Sequence, residues 1–516
     1  MKKRYLLITV MLMASFFLTP GDVESAPTQA PKQIPQYGGI LRIISYAPPL
    51  VFGYPVESLA FSSAMAAVPC IEPLVSSDNS GQPYGVLAED WKITPDGKSI
   101  TFTLRKGVKF HDGTDFNAKV AKWNMDIMLA KGRDIAAKWT SIDVVDDYSI
   151  RLNFKEYQNT QLTGLEGRHG MMISPTAVEK NGVEWAKFHP VGTGPFKLKN
   201  FVRDTSLEYE RFDAYWGGRP YLDGIKFIYI VESVTAQMAF QAGQGDVLQM
   251  QETGMSDVAD LVAKGYKPEK RAGAMMLLIP DSANRDSIFA DKRVREAIEY
   301  AIDREKITKT LGYGYWESVN QPAASHHFGR IDTKGRPYNP SKAKQLLTEA
   351  GYPNGFKTTI ISASTFARDP LVSIQSLLSE VGIDVKLDIV SSAKWNDHVH
   401  KGWNNALLYV TQGATDTNYC AFLNRSYSSE SIRYPSLAHP PGLNDLVSRA
   451  LRATDYKTQK SLSQEAVKVL VDNATVIPLW VGSAVYLLQK NIHDTGFYEL
   501  GGAGFRWTAQ KAWMSK

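Results

Sequence analysis

The residue types that could do chemistry come in short, scattered patterns. Gly192 and Gly194 in PVGTGPF suggest a phosphate loop, but no Gly-Lys-Ser/Thr follows, and the text runs into a strand instead of opening a helix. A structural turn is expected there. His111 and Asp112 would form an acid–base pair only if they converged; adjacent turn residues point apart, and Asp-Gly is ordinary turn chemistry. Ser391 and Lys394 fit Ser-x-x-Lys and Ser77-Asp78-Asn79 fits Ser-Asp-Asn, pieces of an acyl-transfer site, but their order is reversed and no Lys-Thr-Gly exists. His326-His327 and the pair His398 and His400 are spaced for a metal, without cysteines or ordered carboxylates at ligand spacing. Neither His-Glu-x-x-His nor Gly-x-Ser-x-Gly occurs. The expectation is a binding protein and not an enzyme, with no catalytic residues, no metal and no cofactor. The alternative of another class, a secreted hydrolase, would need a carboxylate pair that spacing alone does not reveal.

The chain that must position such residues is long. At 516 residues and 44% apolar it should divide into two or three domains with ample core. Lys2, Lys3 and Arg4, an apolar run from Tyr5 to Leu18 and then small residues up to Ser25 lay out a secretory signal peptide over residues 1–25. The run is shorter than the roughly 20 residues that span a bilayer. Residues 26–36 are a Pro-rich polar leader, expected to be disordered. Cys70 and Cys420 are the two cysteines, neither at the signal boundary, so no lipid anchor is expected, and two buried, unpaired thiols are. A formal charge of +5 without a basic run interleaved with aromatics gives nucleic acid no footing. Periplasmic location follows as the expectation.

Strand and helix signals alternate along the rest. Ile40 to Ser45 reads as a buried strand after a Gly-Gly turn, and strands around Trp91 to Ile93 and Ile100 to Leu104 join through TPDGK. Asn117 caps a helix that Gly132 ends, with Val120, Trp123 and Ile127 sharing its apolar face. From Pro190 to Ile230 strands and turns alternate. Asp291 caps a helix with Val294, Ile298 and Ile302 on one face and Glu296 and Glu299 on others. Asn339-Pro340 and Gly351 bracket another. Thr358 to Ile361, Leu371 to Glu380 and Val385 to Val390 spell a parallel βαβ unit. The chain is α/β with mixed sheets.

Six stretches together carry a family resemblance: YGGILRI, GVLAEDWKITPDGKSITFTLRKGVKFHDGTDFNA, PVGTGPFKL, RFDAYWGGRPYLDGI, DKRVREAIEYAIDREKI and NPSKAKQLLTEAGYPNGF. In these the chain resembles the family 5 solute-binding proteins of ABC importers, the peptide, opine and nickel class, over nearly its whole mature length. The resemblance implies a two-lobed periplasmic-binding-protein fold of type II with three subdomains and a hinge of two crossings, near Ala272 to Asp281 and near Val481 to Leu488. Lobe one is expected over 37–275, with an inserted subdomain at roughly 60–185, lobe two over 276–484, and a return to lobe one over 485–516. The implied function is capture of a small ligand between the lobes and delivery to the permease subunits of the importer, as a monomer. In peptide-binding members a lobe-two strand ending in the cleft carries an aromatic and then an aspartate that holds the ligand's amine; here Val410 and Gly413 stand there, with Asp416 at a later acidic position. Where those members place a carboxylate-binding arginine, Ser364 or Thr365 is in register, with Arg368 slightly later. The ligand-binding set expected from the resemblance is Phe52, Tyr54, Trp395, Gln412, Gly413, Asp416 and Tyr419. A metal-chelate or haem receptor of the same fold, using His398 or His400, is the alternative.

Overall fold

Two long strands, Lys267–Pro280 and Ile477–Leu488, carry the architecture. At ~3.4 Å per residue each runs on the order of 40 Å, enough to pass through two lobes. They lie side by side and antiparallel inside an eleven-stranded mixed sheet in this computed structural model, which describes residues 34–516 except 59, 79, 252–253, 413–417, 498–506 and 508. The expected signal peptide and most of the leader lie outside the described residues. On one side of the pair follow Leu407–Gln412, Phe356–Ala363 and Ile383–Val390; on the other Val247–Gln249, Ile40–Ser45, Gly224–Tyr229, Ser206–Arg211 and Phe196–Val202. Phe356–Ala363 is parallel to both its neighbours, and the helix Asp369–Ser379 makes the crossover, so the βαβ expectation holds. The pairing of the two long strands shifts register between Ala272 and Met275 and again between Met276 and Leu277. These interruptions fall where the strands leave one group of neighbours for the other.

Buried side chains follow the same division. Leu41, Phe102 and Leu207 share a core with Tyr486 and Leu488, whereas Met275, Leu408 and Phe422 share another with Val481. A separate four-stranded antiparallel sheet, Ala88–Ile93, Ser99–Leu104, Ser149–Phe154 and Trp139–Asp146, packs into the first core.

Local chemistry explains the element ends. Asn117 accepts from the backbone N–H groups of Lys119 and Val120 and starts the helix Ala118–Lys131; Gly132, at φ 58, ends it in the left-handed conformation that glycine adopts without Cβ strain. The most buried residues of that helix are Ala118, Ala121, Asn124, Met125 and Met128, while Val120, Trp123 and Ile127 are half-buried and pack against the same core. These last three cover the edge of the core, while the small Ala118 and Ala121 allow the helix to approach. Glu299 belongs to the helix Lys292–Ala301. Its carboxylate is buried between Arg336 at 3.1 Å and Arg304 at 3.7 Å, and burial pushes it up to about 7.

The two cysteines are buried and unpaired, and burial pushes their thiols up to about 12 at Cys70 and about 11 at Cys420. Beside Cys70 lies His111, with Nε2 2.9 Å from the Gly194 carbonyl and Nδ1 3.5 Å from the thiol sulfur. Asp112 turns the other way and accepts from Ser174 at 2.5 Å, so the two adjacent residues do not cooperate. Nε2 faces a carbonyl and must carry the proton, which leaves Nδ1 facing a poor acceptor. Burial therefore holds the imidazole neutral, lowered to about 4. A depressed histidine weakens the fold as pH falls, because the unfolded chain takes up its proton near 6.5 and the folded one only near 4. The expected cost on reaching pH 4 is about 3 kcal/mol. Melting temperature should fall between pH 6.5 and 4, and His111→Gln, which keeps a donor for Gly194, should flatten that slope; an unchanged slope refutes the assignment.

Candidate functional site

Alternation in the central strands points one set of side chains to one face. Tyr409 and Thr411 of Leu407–Gln412 lie on the same face as Ala274 and Met276 of one crossing strand and Trp480 and Gly482 of the other. Together with Thr365, Phe366, Ala367, Asp369 and Pro370, the turn bearing Tyr313 and Trp316, and Ser256 of the helix Met255–Ala263, they enclose a cavity of ≈ 380 Å³. That size suits a small organic molecule, since ligand pockets run to about 300–1,000 Å³.

Its walls are aromatic and already ordered. Trp316 and Trp480 stack with ring centroids 5.4 Å apart and 4° between planes. Phe366 packs edge-on against Tyr409 at 5.6 Å and against Trp395 at 5.5 Å. The Trp395 indole N–H donates to the Tyr409 carbonyl at 3.0 Å, which fixes the ring that backs Phe366. Polar groups on the wall are the hydroxyls of Ser256, Thr365 and Thr411 and the carboxylate of Asp369. Asp369 stands in the first turn of Asp369–Ser379, where the helix dipole favours a negative charge. Neither Lys nor Arg is among the residues lining this cavity. A neighbouring cavity of ≈ 270 Å³ shares Trp316 and Gly482 and is lined by Lys270, Arg271, Glu317 and Ser325. A third, of ≈ 280 Å³, lies in the first core beside Glu72, whose carboxylate accepts from Thr193, Tyr215 and Trp216 and so serves the scaffold.

The residues singled out in the sequence fall unevenly around this geometry. Trp395 stands directly behind the wall. Thr365 is on it. Gln412 ends its strand on the opposite face, buried, with Oε1 accepting from the Tyr427 hydroxyl at 2.6 Å; Val410 shares that face in the core. Gly413 and Asp416 lie outside the described residues. Phe52 and Tyr54 are core residues here, not cavity walls: the N–H groups of Phe52 and Gly53 both donate to the Lys187 carbonyl, which lays the loop flat and turns Phe52 onto Phe201 at 5.0 Å. Tyr419 is likewise buried, with its hydroxyl on the Pro322 carbonyl at 2.7 Å, beneath His327 and Phe422. His398 and His400 are two apart on the helix Ser392–Lys401, so they diverge, and their Nδ1 atoms sit 3.2 Å from the carbonyls of Gly402 and Ile432. Among the described residues no three His, Cys, Asp or Glu side chains gather as a metal would need. The stacked Trp316 and Trp480, Phe366 and Tyr409 were not foreseen. Trp480 was visible as part of the apolar run VIPLWVG, but a run buried on both faces does not say which side borders a cavity.

Comparison with known proteins decides the family. The profile of the middle region of the bacterial extracellular solute-binding proteins, family 5, matches residues 82–432. The chain belongs to that family. The resemblance carried by the six sequence stretches is thus borne out, and the chain is a solute-binding receptor of the ABC-importer type. The glutathione-binding protein GsiB of Shigella dysenteriae is 30% identical over 441 residues, 81% of this chain and 84% of that one. Among solved structures, the periplasmic binding protein DppA of Helicobacter pylori in complex with the peptide STSA is 25% identical with a TM-score of 0.71, covering 93% of this chain and 99% of that one. HbpA2 of Haemophilus parasuis, at 21% identity, superposes with a TM-score of 0.84 over 92% of this chain and 100% of that one, which confirms the two-lobed α/β fold. Family 5 receptors are ligand carriers, and among the described residues no helix is long and apolar enough to cross a membrane.

Proposed function

We propose that this receptor captures a small organic solute in the aromatic cavity beside the crossing strands and hands it to an inner-membrane permease. The observation that carries the reading is the wall itself: a pre-stacked tryptophan pair and an edge-packed Phe366 and Tyr409, with Asp369 as the charged group. Such a wall takes a flat or apolar solute that is neutral or carries an amine, because a carboxylate would be desolvated there without a cationic partner. The lobes are read as 37–275 with the return of 485–516, and 276–484, which the division of the hydrophobic cores supports. One copy supplies every wall, so a monomer suffices. The signal-like start supports export to the periplasm, and the reading assigns no catalysis.

A second reading, an anionic peptide-like solute such as the glutathione bound by GsiB, draws on Lys270 and Arg271 in the neighbouring cavity. Two measurements separate them. Mass spectrometry of material released by denaturing gently purified protein should show a neutral or amine-bearing organic molecule. Calorimetry should show glutathione and simple dipeptides binding no tighter than about 100 μM, near −5.5 kcal/mol. Submicromolar glutathione binding would overturn the first reading in favour of the second.

A further inference from the structure

On the sheet face opposite the cavity, a small network of buried polar side chains joins the two lobes. Asn159 sits ahead of the short helix Thr160–Thr163 in the part of the chain that packs with the first core, and it is 2% exposed. Its backbone N–H donates to the Leu451 carbonyl at 2.8 Å and its Nδ2 to the Ala450 carbonyl at 2.8 Å. Those carbonyls lie in the last turn of the helix Leu443–Arg452, where the Ala450 carbonyl also accepts from the Ala453 N–H at 3.4 Å. Its Oδ1 accepts from Asn418 Nδ2 at 2.7 Å, and the same Nδ2 lies 3.1 Å from the Thr163 hydroxyl. Asn418 is 5% exposed and uses its remaining oxygen, 3.2 Å from the Ala421 N–H, to cap the helix Tyr419–Tyr427. One asparagine therefore grips the end of one second-lobe helix and the capping residue of another. Two outer contacts flank it: Glu156 with Arg452 at 2.6 Å and the Tyr456 hydroxyl with the Ser80 carbonyl at 2.8 Å.

We propose that Asn159 and Asn418 form a latch that sets the balance between the open and closed lobes, independently of what the cavity binds. The physical reason is the completeness of the network. Every polar atom of the Asn159 side chain is paired across the lobes, so separation exchanges buried bonds for water, and partial opening would strand donors and acceptors. The outer Glu156–Arg452 pair is half-exposed on both sides, with side chains 59% and 56% accessible, and an exposed ion pair contributes little. Asn159 and Asn418 are positioning residues; neither lines the cavity.

The test needs no ligand. Protein stripped by unfolding, dialysis and refolding is measured by small-angle X-ray scattering, and the closed-to-open ratio is fitted from the profile. Asn159→Ala and Asn418→Ala should each lower that ratio about tenfold, equal to about 1.4 kcal/mol, and increase the radius of gyration. Thr163→Val should shift it the same way by less, Thr163→Ser should match wild type, and Arg452→Gln should change it by less than twofold. A wild-type profile for Asn159→Ala, even with a lower melting temperature, overturns the latch and leaves a plain structural contact. If Asn159→Ala does not fold, the contrast between Thr163→Val and Thr163→Ser decides: equal profiles overturn the proposal. Because the readout is ligand-free, failure here leaves the assignment of the cavity standing.

Discussion

Gly192→Ala should leave little folded protein. A Cβ at that position would lie 2.0 Å from the Cys70 carbonyl oxygen, 2.8 Å from its carbon and 2.9 Å from the Ile71 Cα, all backbone atoms with no rotamer to yield. Neither strand of the chain can retreat. The Gly194 N–H is bonded to the Cys70 carbonyl at 2.9 Å, the His111 N–H to the Gly192 carbonyl at 2.9 Å and the Ser174 N–H to the Val191 carbonyl at 2.9 Å. Relief would break several of these bonds in a buried site, so a loss of about 4 kcal/mol or more is expected. Against a total stability on the order of 5–15 kcal/mol, that is enough to deplete the native state. Urea unfolding of Gly192→Ala beside Gly167→Ala checks it. Gly167 has φ −94, and a Cβ there meets nothing nearer than 3.9 Å, so that variant should stay within about 0.5 kcal/mol of wild type. Equal midpoints for the two variants would refute the close-approach argument.

The second large effect separates binding from folding within one stacked pair. Trp480 is 2% exposed and sits in a crossing strand, so Trp480→Ala should cost about 3–5 kcal/mol of stability. Trp316, its partner, is half-buried on a turn between the helix Arg304–Leu311 and the strand Glu317–Ser318. Trp316→Ala should unfold the protein little, yet weaken binding of the co-purified solute by about 2 kcal/mol or more, some thirtyfold. Denaturant midpoints and calorimetry with the identified solute give both numbers. Undiminished affinity in Trp316→Ala would move the binding site out of this cavity.

Much of the scaffold was legible because its signals are local. Asn117 and Gly132, or Asn339 with Pro340, bracket their helices by capping chemistry that neighbours supply, and the βαβ unit announced itself by alternating periods. The cavity was less legible because it is assembled from six separate segments whose convergence no spacing records. Aromatics were sought near the start of the chain, at Phe52 and Tyr54, but a loop's direction depends on the distant Lys187 carbonyl that pins it. Trp395 was placed one layer off, behind Phe366 and not on the wall. The burial of Glu299 had no local signal, because Arg336 and Arg304, which make it tolerable, come from outside its helix.

The position of Ile477–Leu488 in the sheet bears on how the chain acquires its structure. That strand lies between Val247–Gln249 and Lys267–Pro280, and its Tyr486 and Leu488, with Ile492, Phe497, Trp507, Ala509 and Ala512, complete a core whose other residues lie more than two hundred positions earlier. A nascent chain emerging from the ribosome therefore cannot finish its first lobe until Ile477–Leu488 has been made. The second lobe can condense as a unit, while the first waits with an unpaired sheet edge. Such long-range closure is slow, because loop entropy is paid before the contacts form. Delayed condensation therefore leaves that sheet edge open longer than the pairings made within the second lobe.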